Sequence, residues 1–152
     1  MSRLSEILKS DVMLSPHKEV MLNLICTCNH VTEKNTVFFK EYGISAAQYN
    51  VLRILRGQKK NPINLSSIQE RMVHKNSNAG RLIDKLLFKG YVSRNVCKEN
   101  RRKIEIKITI KGLDLLQKID PDLDNLEQLS LKNLSPKEIS VLNGLLEKIR
   151  IS

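Results

Sequence analysis

A mainly helical α+β fold, in which short helices surround one two-stranded β-ribbon, is what the sequence predicts. Three observations lead there. Most apolar residues recur at helical spacing, whereas one segment, Ile104-Glu-Ile-Lys-Ile108, alternates strictly as a half-buried strand does. Aromatic residues make up only 4% with no Trp, which suits Leu and Ile helix packing rather than a β-sandwich. At 152 residues and 41% hydrophobic content, the chain (1–152) suits a single domain with a packed core.

The first helix starts at Ser15-Pro16, an N-cap followed by Pro at the first helical position. Met21, Leu24, Ile25, Cys28, Val31, Phe38 and Phe39 keep helical spacing until Gly43 offers a stop. Ser45-Ala-Ala-Gln48 is a capping box that opens a second helix through Tyr49, Leu52, Ile54 and Leu55 to about Gly57. The polar run GQKKNP is a loop, and Leu65, Ile68, Met72 and Val73 mark a short third helix starting at Asn64 or Ser66. Asn76 or Ser77 caps a fourth, in which Ala79, Leu82, Ile83, Leu86 and Leu87 share one face and Lys89-Gly90 closes the helix.

A β-pair follows. Tyr91 to Cys97 forms one arm and Ile104 to Ile108 the other, with Ile104, Ile106 and Ile108 inward and Glu105 and Lys107 outward. The tip between them, KENRRK, lacks a Gly-type tight turn, so an extended, mobile loop is expected. Thr109 caps a fifth helix, which Pro121 is expected to kink or split. Ser135-Pro136-Lys-Glu138 is a second capping box, opening a last helix with Ile139, Leu142, Leu145, Leu146 and Ile149 on one face.

Two short helices followed by a hairpin with a basic tip describe a winged helix-turn-helix with a two-stranded β-wing, over about 45–110. The flanking helices, about 15–42 and 110–150, carry more apolar residues than so small a module could cover. Pairing with a second copy would bury them, so they are read as dimerisation helices of a homodimer.

Charge is gathered in the same module. Between Arg71 and Lys111 stand twelve Lys or Arg against Asp84, Glu99 and Glu105, so that a net +9 of the chain's +10 sits in about a quarter of its length. The remainder is near neutral, and residues 120–127, DPDLDNLE, are acidic. Positive charge concentrated in one segment points to a polyanionic partner.

The run from Ile44 to Leu116 resembles the MarR family of transcriptional regulators. The resemblance rests on an ordered set of pieces: Gln48-Tyr-Asn-Val-Leu52, Ser66 to Met72, and Arg81-Leu-Ile-Asp-Lys-Leu86. Lys89-Gly-Tyr-Val92, Arg94, Asn100-Arg-Arg102 and Lys111-Gly112 complete it. It covers roughly half the chain directly. One departure is Asn100, where the family's wing usually has Asp, so an Asp–Arg ion pair steadying the wing is unavailable. Another is Gly80, read as a mid-helix glycine that costs about 1 kcal/mol relative to Ala.

The second stripe of the fourth helix then acquires a use. With its apolar face packed inward, Ser77, Asn78, Arg81 and Lys85 project from the front half, the part of a recognition helix that reaches base edges in the major groove. Arg81 suits guanine O6 and N7, Asn78 suits adenine, and Lys75, Asn76, Lys85 and the capped helix start suit phosphates. An ordinary solvated face uses the same residue types; the adjacent wing tips the reading toward DNA. In the wing, Lys98, Asn100, Arg101, Arg102 and Lys103 are too polar to be packing. By resemblance one arginine enters the minor groove, with Arg102 the choice, while the other clamps the backbone. Asp84 is expected to brace a nearby Arg. Two copies would read a pseudo-palindromic operator with half-sites one turn of double-stranded DNA apart.

Other chemistry is weakly indicated. The resemblance implies repression and, in many members, release by a small phenolic ligand or by thiol oxidation. Phe39, Tyr42 and Tyr49 could line a ligand pocket, although core packing explains them better. Cys26 and Cys28, at i and i+2, point to nearly opposite sides and cannot pair. Cys28 lies on the apolar stripe and is expected in the core, Cys26 nearer solvent, and Cys97 in the wing strand. A thiol-redox-sensing regulator and a winged-helix protein-interaction module are the alternatives. His17, His30 and His74 are too scattered for a metal site, and no cofactor is expected. No Gly-rich phosphate loop, HExxH or nucleophile elbow suggests an enzyme. Sparse, odd cysteines and the lack of a signal-like or membrane-spanning apolar run suggest a soluble, cytoplasmic protein.

Overall fold

With one exception, each helix start that the sequence marks by a capping residue is realised in the computed structural model, which describes residues 3–59 and 61–151. Lys60, inside the expected GQKKNP loop, lies outside the described residues. The elements run α1 (Arg3–Leu8), α2 (Pro16–Glu41), α3 (Ala46–Gly57), α4 (Leu65–Arg71), α5 (Ala79–Phe88), β1 (Val92–Val96), β2 (Ile104–Ile108), α6 (Ile110–Ser130) and α7 (Pro136–Arg150). The mainly helical, winged class is therefore the observed one. The chain divides into two compact units, Met1–Tyr49 and Asn50–Ser152, and α3 runs from the first into the second.

In the first unit, α1 is a helix that the sequence analysis leaves unassigned. Leu4, Ile7 and Leu8 share the i, i+3, i+4 spacing that could have marked it, and Leu4 is buried. The long α2 begins where Ser15 Oγ accepts from the Lys18 N–H. It ends at Gly43, whose φ of 71° suits glycine and lets the Ile44 N–H reach back to the Phe39 carbonyl. Phe39 is its buried residue; Met21, Ile25 and Val31 on the same stripe are exposed. The Ser45 capping box is closed in both directions: Gln48 Oε1 accepts from the Ser45 N–H at 2.9 Å, and Ser45 Oγ from the Gln48 N–H at 3.1 Å.

In the second unit, Val51, Leu52 and Leu55 of α3, Ile68 and Met72, Ile83 and Leu86 of α5, and Leu116 and Ile119 of α6 form the core. The ribbon pairs antiparallel in the register Val92↔Ile108, Arg94↔Ile106 and Val96↔Ile104. Only Ile106 of the three expected inward residues is deeply buried; Ile104, beside the tip, is exposed because the ribbon there has left the core. A one-residue third strand joins the sheet: Ile63 and Ile106 exchange both backbone hydrogen bonds, at 3.2 and 2.9 Å.

Pro121 does not split the fifth expected helix; α6 continues through it to Ser130. Proline removes one N–H, but Pro121 and Gln117, whose carbonyl loses its donor, are both exposed to water. Ile119 and Leu123, buried on either side, hold the axis together. An ion pair from Arg56 of α3 to Asp120 lies next to the proline. Finally, α7 carries its full capping box but buries no residue.

Candidate nucleic-acid interface

The exception among the caps lies at the front of α5. Asn78, rather than Asn76 or Ser77, is the N-cap: its Oδ1 accepts from the Arg81 N–H at 3.1 Å. Three consecutive cap-capable residues made the choice ambiguous in sequence; burial of Ala79 as the first helical residue fixes it. Two expectations change with it. Asn78 and Ser77 precede the helix instead of projecting from its outer face, and Asn78 Oδ1, the acceptor that an adenine contact would use, is engaged in the cap. Gly80 is the second residue of the helix rather than a mid-helix glycine, and an added Cβ there would make only ordinary contacts, 3.4 Å from Asn78 Oδ1.

The outer face of α5 is otherwise as expected. Arg81 and Lys85 are exposed, while Ala79, Ile83 and Leu86 face the core. Asp84 does brace an arginine, with Arg94 Nη1 at 3.3 Å from its Oδ1. Both partners are exposed, so the pair contributes little stability, typically about 0–1 kcal/mol. Its effect is to keep one carboxylate of the basic surface neutralised and to orient Arg94 across from the helix.

The connection from α4, residues 72–78, is tied down by side chains that periodicity cannot reveal. Asn50 Oδ1 accepts from the Val73 N–H at 2.9 Å. Gln69 donates from Nε2 to the Lys75 carbonyl at 2.9 Å and accepts at Oε1 from the Ala79 N–H at 3.1 Å. The Lys75 ammonium is turned back onto the Glu70 carbonyl, so a phosphate would have to draw it away. Asn76 is exposed and Ser77 half-buried, the latter donating its N–H to His74.

The wing tip KENRRK closes as a hydrogen-bonded turn where an extended loop was expected. Asn100 builds a turn: its carbonyl accepts from the Lys103 N–H at 2.9 Å and its Oδ1 from the Arg102 N–H at 3.1 Å. The Cys97 N–H to Lys103 carbonyl bond, at 2.8 Å, closes the base. Arg101 and Arg102 thereby occupy the two apical positions, both exposed, with Lys98 and Lys103 flanking them, exposed as well. Asn100 is thus a builder of the turn, using the oxygen that an Asp would also have provided.

Behind the helix, its C-terminus is pinned to the start of α6. Thr109 Oγ1 donates to the Gly90 carbonyl at 2.7 Å and accepts from the Gly112 N–H at 3.1 Å. Lys111 Nζ donates to the Lys89 carbonyl at 2.8 Å and sits 5.0 Å from the Tyr91 ring centroid. At Gly112 a Cβ would lie 2.3 Å from the Tyr91 carbonyl oxygen, so only glycine fits. The Lys111-Gly112 motif is the sequence signal for this junction.

The cysteine expectations are reversed: Cys28 is exposed and Cys26 half-buried, because an apolar stripe buries a residue only where something covers it. Cys97 is half-buried in the wing base. Phe39 and Tyr49 stack at 4.7 Å and are both buried, as core packing requires. A cleft in the first unit is lined by Leu8, Val12, Met13 and Leu14 with Asp11 and Glu19. Among the described residues, no three His, Cys, Asp or Glu cluster to hold a metal, and no helix is long and apolar enough to cross a membrane.

Comparison with known proteins agrees with this geometry. Residues 44–104 match the model of the MarR family. The MarR transcription factor of Planctomyces limnophilus is 30% identical, with 90% of this chain and 98% of that one covered and a TM-score of 0.70. A cysteine-to-serine mutant of Escherichia coli MarR, complexed with operator DNA, aligns over 98% of this chain and 99% of that one. Its TM-score is 0.71 at 23% identity. The HTH-type transcriptional regulator PapX of Escherichia coli is 28% identical over 106 residues, 68% of this chain; the match spans 65% of PapX, just under two thirds of its length.

Proposed function

The chain belongs to the MarR family, and from that premise we propose that it is a sequence-specific transcriptional regulator that grips a pseudo-palindromic DNA operator as a homodimer. Its named relatives are transcription regulators, and the chain is not an enzyme. One observation carries the reading: α5 offers exposed Arg81 and Lys85 on a helix whose inner face is buried, beside a structured turn with Arg101 and Arg102 at its apex. A helix fits the major groove, and paired arginines suit the strong negative potential of a narrow minor groove. The operator DNA bound to the Escherichia coli MarR mutant supports the same mode here.

In this reading Arg81 contacts guanine, Lys75, Asn76, Ser77 and Lys85 hold phosphates, and Asn78 sets the helix start. Arg102 enters the minor groove, while Lys98, Arg101 and Lys103 clamp its edges and Asn100 shapes the turn. The whole chain acts as one MarR-like domain, with 45–110 as the DNA-binding module and 15–42 and 110–150 as dimerisation helices. The exposed apolar faces of α2 and α7 support the dimer. A dimer seated on a promoter obstructs polymerase, so repression is the proposed mode, in the cytoplasm where the operator is. Release by a small ligand completes the proposal, and the apolar cleft beside α1, with its two carboxylates, is the candidate place.

The test is selection of preferred duplexes from random double-stranded DNA, followed by titration of the winner. A palindrome with half-sites about one helical turn apart is expected. If about 6–10 phosphates are neutralised, affinity falls by about three to five decades between 50 and 200 mM salt. Arg81→Ala should cost about 1–3 kcal/mol and relax preference at one position of each half-site. No selected sequence, together with a flat salt response, would favour a protein-interaction wing instead.

A further inference from the structure

The connection from α4 to α5, residues 72–78, is about twice as long as the roughly 3–4-residue turn of a minimal helix-turn-helix. A longer turn lets the second helix shift along or roll about its axis unless something spans the gap. Gln69 spans it. Its one amide group meets the middle of the connection, at the Lys75 carbonyl, and the far end, at the Ala79 N–H. Ala79 is the first residue of α5, and its N–H is one of the four that a helix start leaves without an intrahelical partner. Asn78 satisfies that of Arg81, the third helical residue, and Gln69 that of Ala79, the first. The position of the helix start relative to α4 is therefore fixed from outside α5, through a half-buried side chain that reaches into the turn.

We propose that Gln69 is a positioning residue that sets the register in which α5 presents Arg81, so that discrimination between DNA sequences depends on it while general attraction to DNA does not. The inference rests on the DNA-binding reading above. Its physical basis is the different tolerance of the two interactions. Phosphate attraction survives a displacement of an ångström, since it is long-ranged and non-directional; a bidentate contact to a base edge does not.

The experiment compares the full chain with Gln69→Met, which keeps size but removes both hydrogen bonds, and with Gln69→Glu, which keeps the acceptor for Ala79 and removes the donor to Lys75. Binding to the selected operator and to a shuffled duplex is measured at one salt concentration, and amide exchange at Ala79 is followed in the free protein. Gln69→Met should weaken operator binding about tenfold, the size expected for losing a well-placed hydrogen bond, with shuffled-duplex binding within about twofold. Its Ala79 amide should exchange at least about tenfold faster, and Gln69→Glu should fall between the two on both counts. An unchanged operator-to-shuffled ratio in Gln69→Met, in a chain whose wild type discriminates, overturns this inference alone. So does an equal loss on both duplexes, or unaltered Ala79 exchange. A wild type that discriminates between no duplexes overturns the DNA-binding reading and this inference together.

Discussion

Two helices of the second unit, α5 and α7, have comparable apolar stripes and opposite fates. In the ten residues of α5, Ala79, Ile83 and Leu86 are buried. In the fifteen of α7 none is, and Val141, Leu142, Leu145 and Ile149 remain 41–53% exposed. Helical periodicity says which face of a helix is apolar, not what covers it. For α5 the chain covers its own face, with α4 and the ribbon supplying partners, and the outer side is the one proposed to meet DNA. For α7 the inner side is the one left over. A contiguous apolar face of that kind marks an interaction surface, and the capping box that holds α7 so firmly makes sense if the face must be presented already formed. The proposed second copy is the economical occupant, because a twofold pair buries the same face on both subunits.

The sharpest way to break that comparison is to charge the bare face. Leu142→Asp combined with Leu145→Asp should yield a monomer by sedimentation velocity, with the helical circular dichroism of the winged module retained. Operator affinity should then fall by about two to four decades, since each half-site is bound without the effective concentration supplied by its twin. A double variant that remains dimeric would show that α7 is not where the copies meet.

A second measurement separates the two faces by what their stability depends on. Ile83→Ala, under the α5 stripe, should lower unfolding free energy by about 2–5 kcal/mol in urea titrations, by the same amount at any protein concentration. Leu145→Ala should produce a loss that shrinks as the protein is diluted, because an interface contributes only where subunits are associated. Equal, concentration-independent losses would place α7 in the chain's own core.

The junction behind α5 gives a third. Gly112→Ala drives a methyl group onto the Tyr91 carbonyl, and backbone cannot move aside as a flexible side chain can. A cost of about 1–3 kcal/mol is expected, with weaker operator binding because the C-terminal anchor of α5, the proposed recognition helix, shifts. Gly144→Ala in α7, where a Cβ meets nothing within 4 Å, should instead stabilise by up to about 1 kcal/mol through helix propensity. The pair of glycines thus sets the packed junction behind α5 against the uncovered α7 as a change of sign.

Local rules were enough wherever the structure is local. Ser15, Ser45 with Gln48, Asn64, Thr109 and Ser135 all cap the helices that they precede, because a cap needs only its own next three residues. The ribbon's limits followed from alternation and a polar tip, and the Asp84–Arg94 pair from an isolated acid on a basic surface. What could not be read depends on contacts distant in sequence. Ile63 joins the sheet through one residue, too short to alternate. Gln69 looks like any polar helix residue until the following turn folds over it. Cys26 and Cys28 depart from expectation for the reason α7 is bare: a stripe is legible in sequence, its partner is not. The cap of α5 is a different case, since Asn76, Ser77 and Asn78 are all competent and only the burial of Ala79 chooses among them.

The smallest expected effect concerns the cap that holds α7 ready. The Ser135 N–H and hydroxyl both donate to Glu138 Oε2, at 2.7 and 2.8 Å. These bonds, the backbone one foremost, favour the carboxylate and hold the Glu138 pKa below its ordinary value of 4.5. A carboxyl with a depressed folded-state pKa contributes stability that is fully present above the ordinary value and is lost as pH falls through the lower, folded one. The α7 N-terminus should therefore begin to fray only below about pH 4.5, seen as faster amide exchange at Lys137 and Glu138. Glu138→Gln should remove that pH dependence while keeping much of the cap, since a side-chain amide oxygen can still accept from the Ser135 N–H. If α7 frays equally in both proteins across that range, the capping box is not what keeps its apolar face presented.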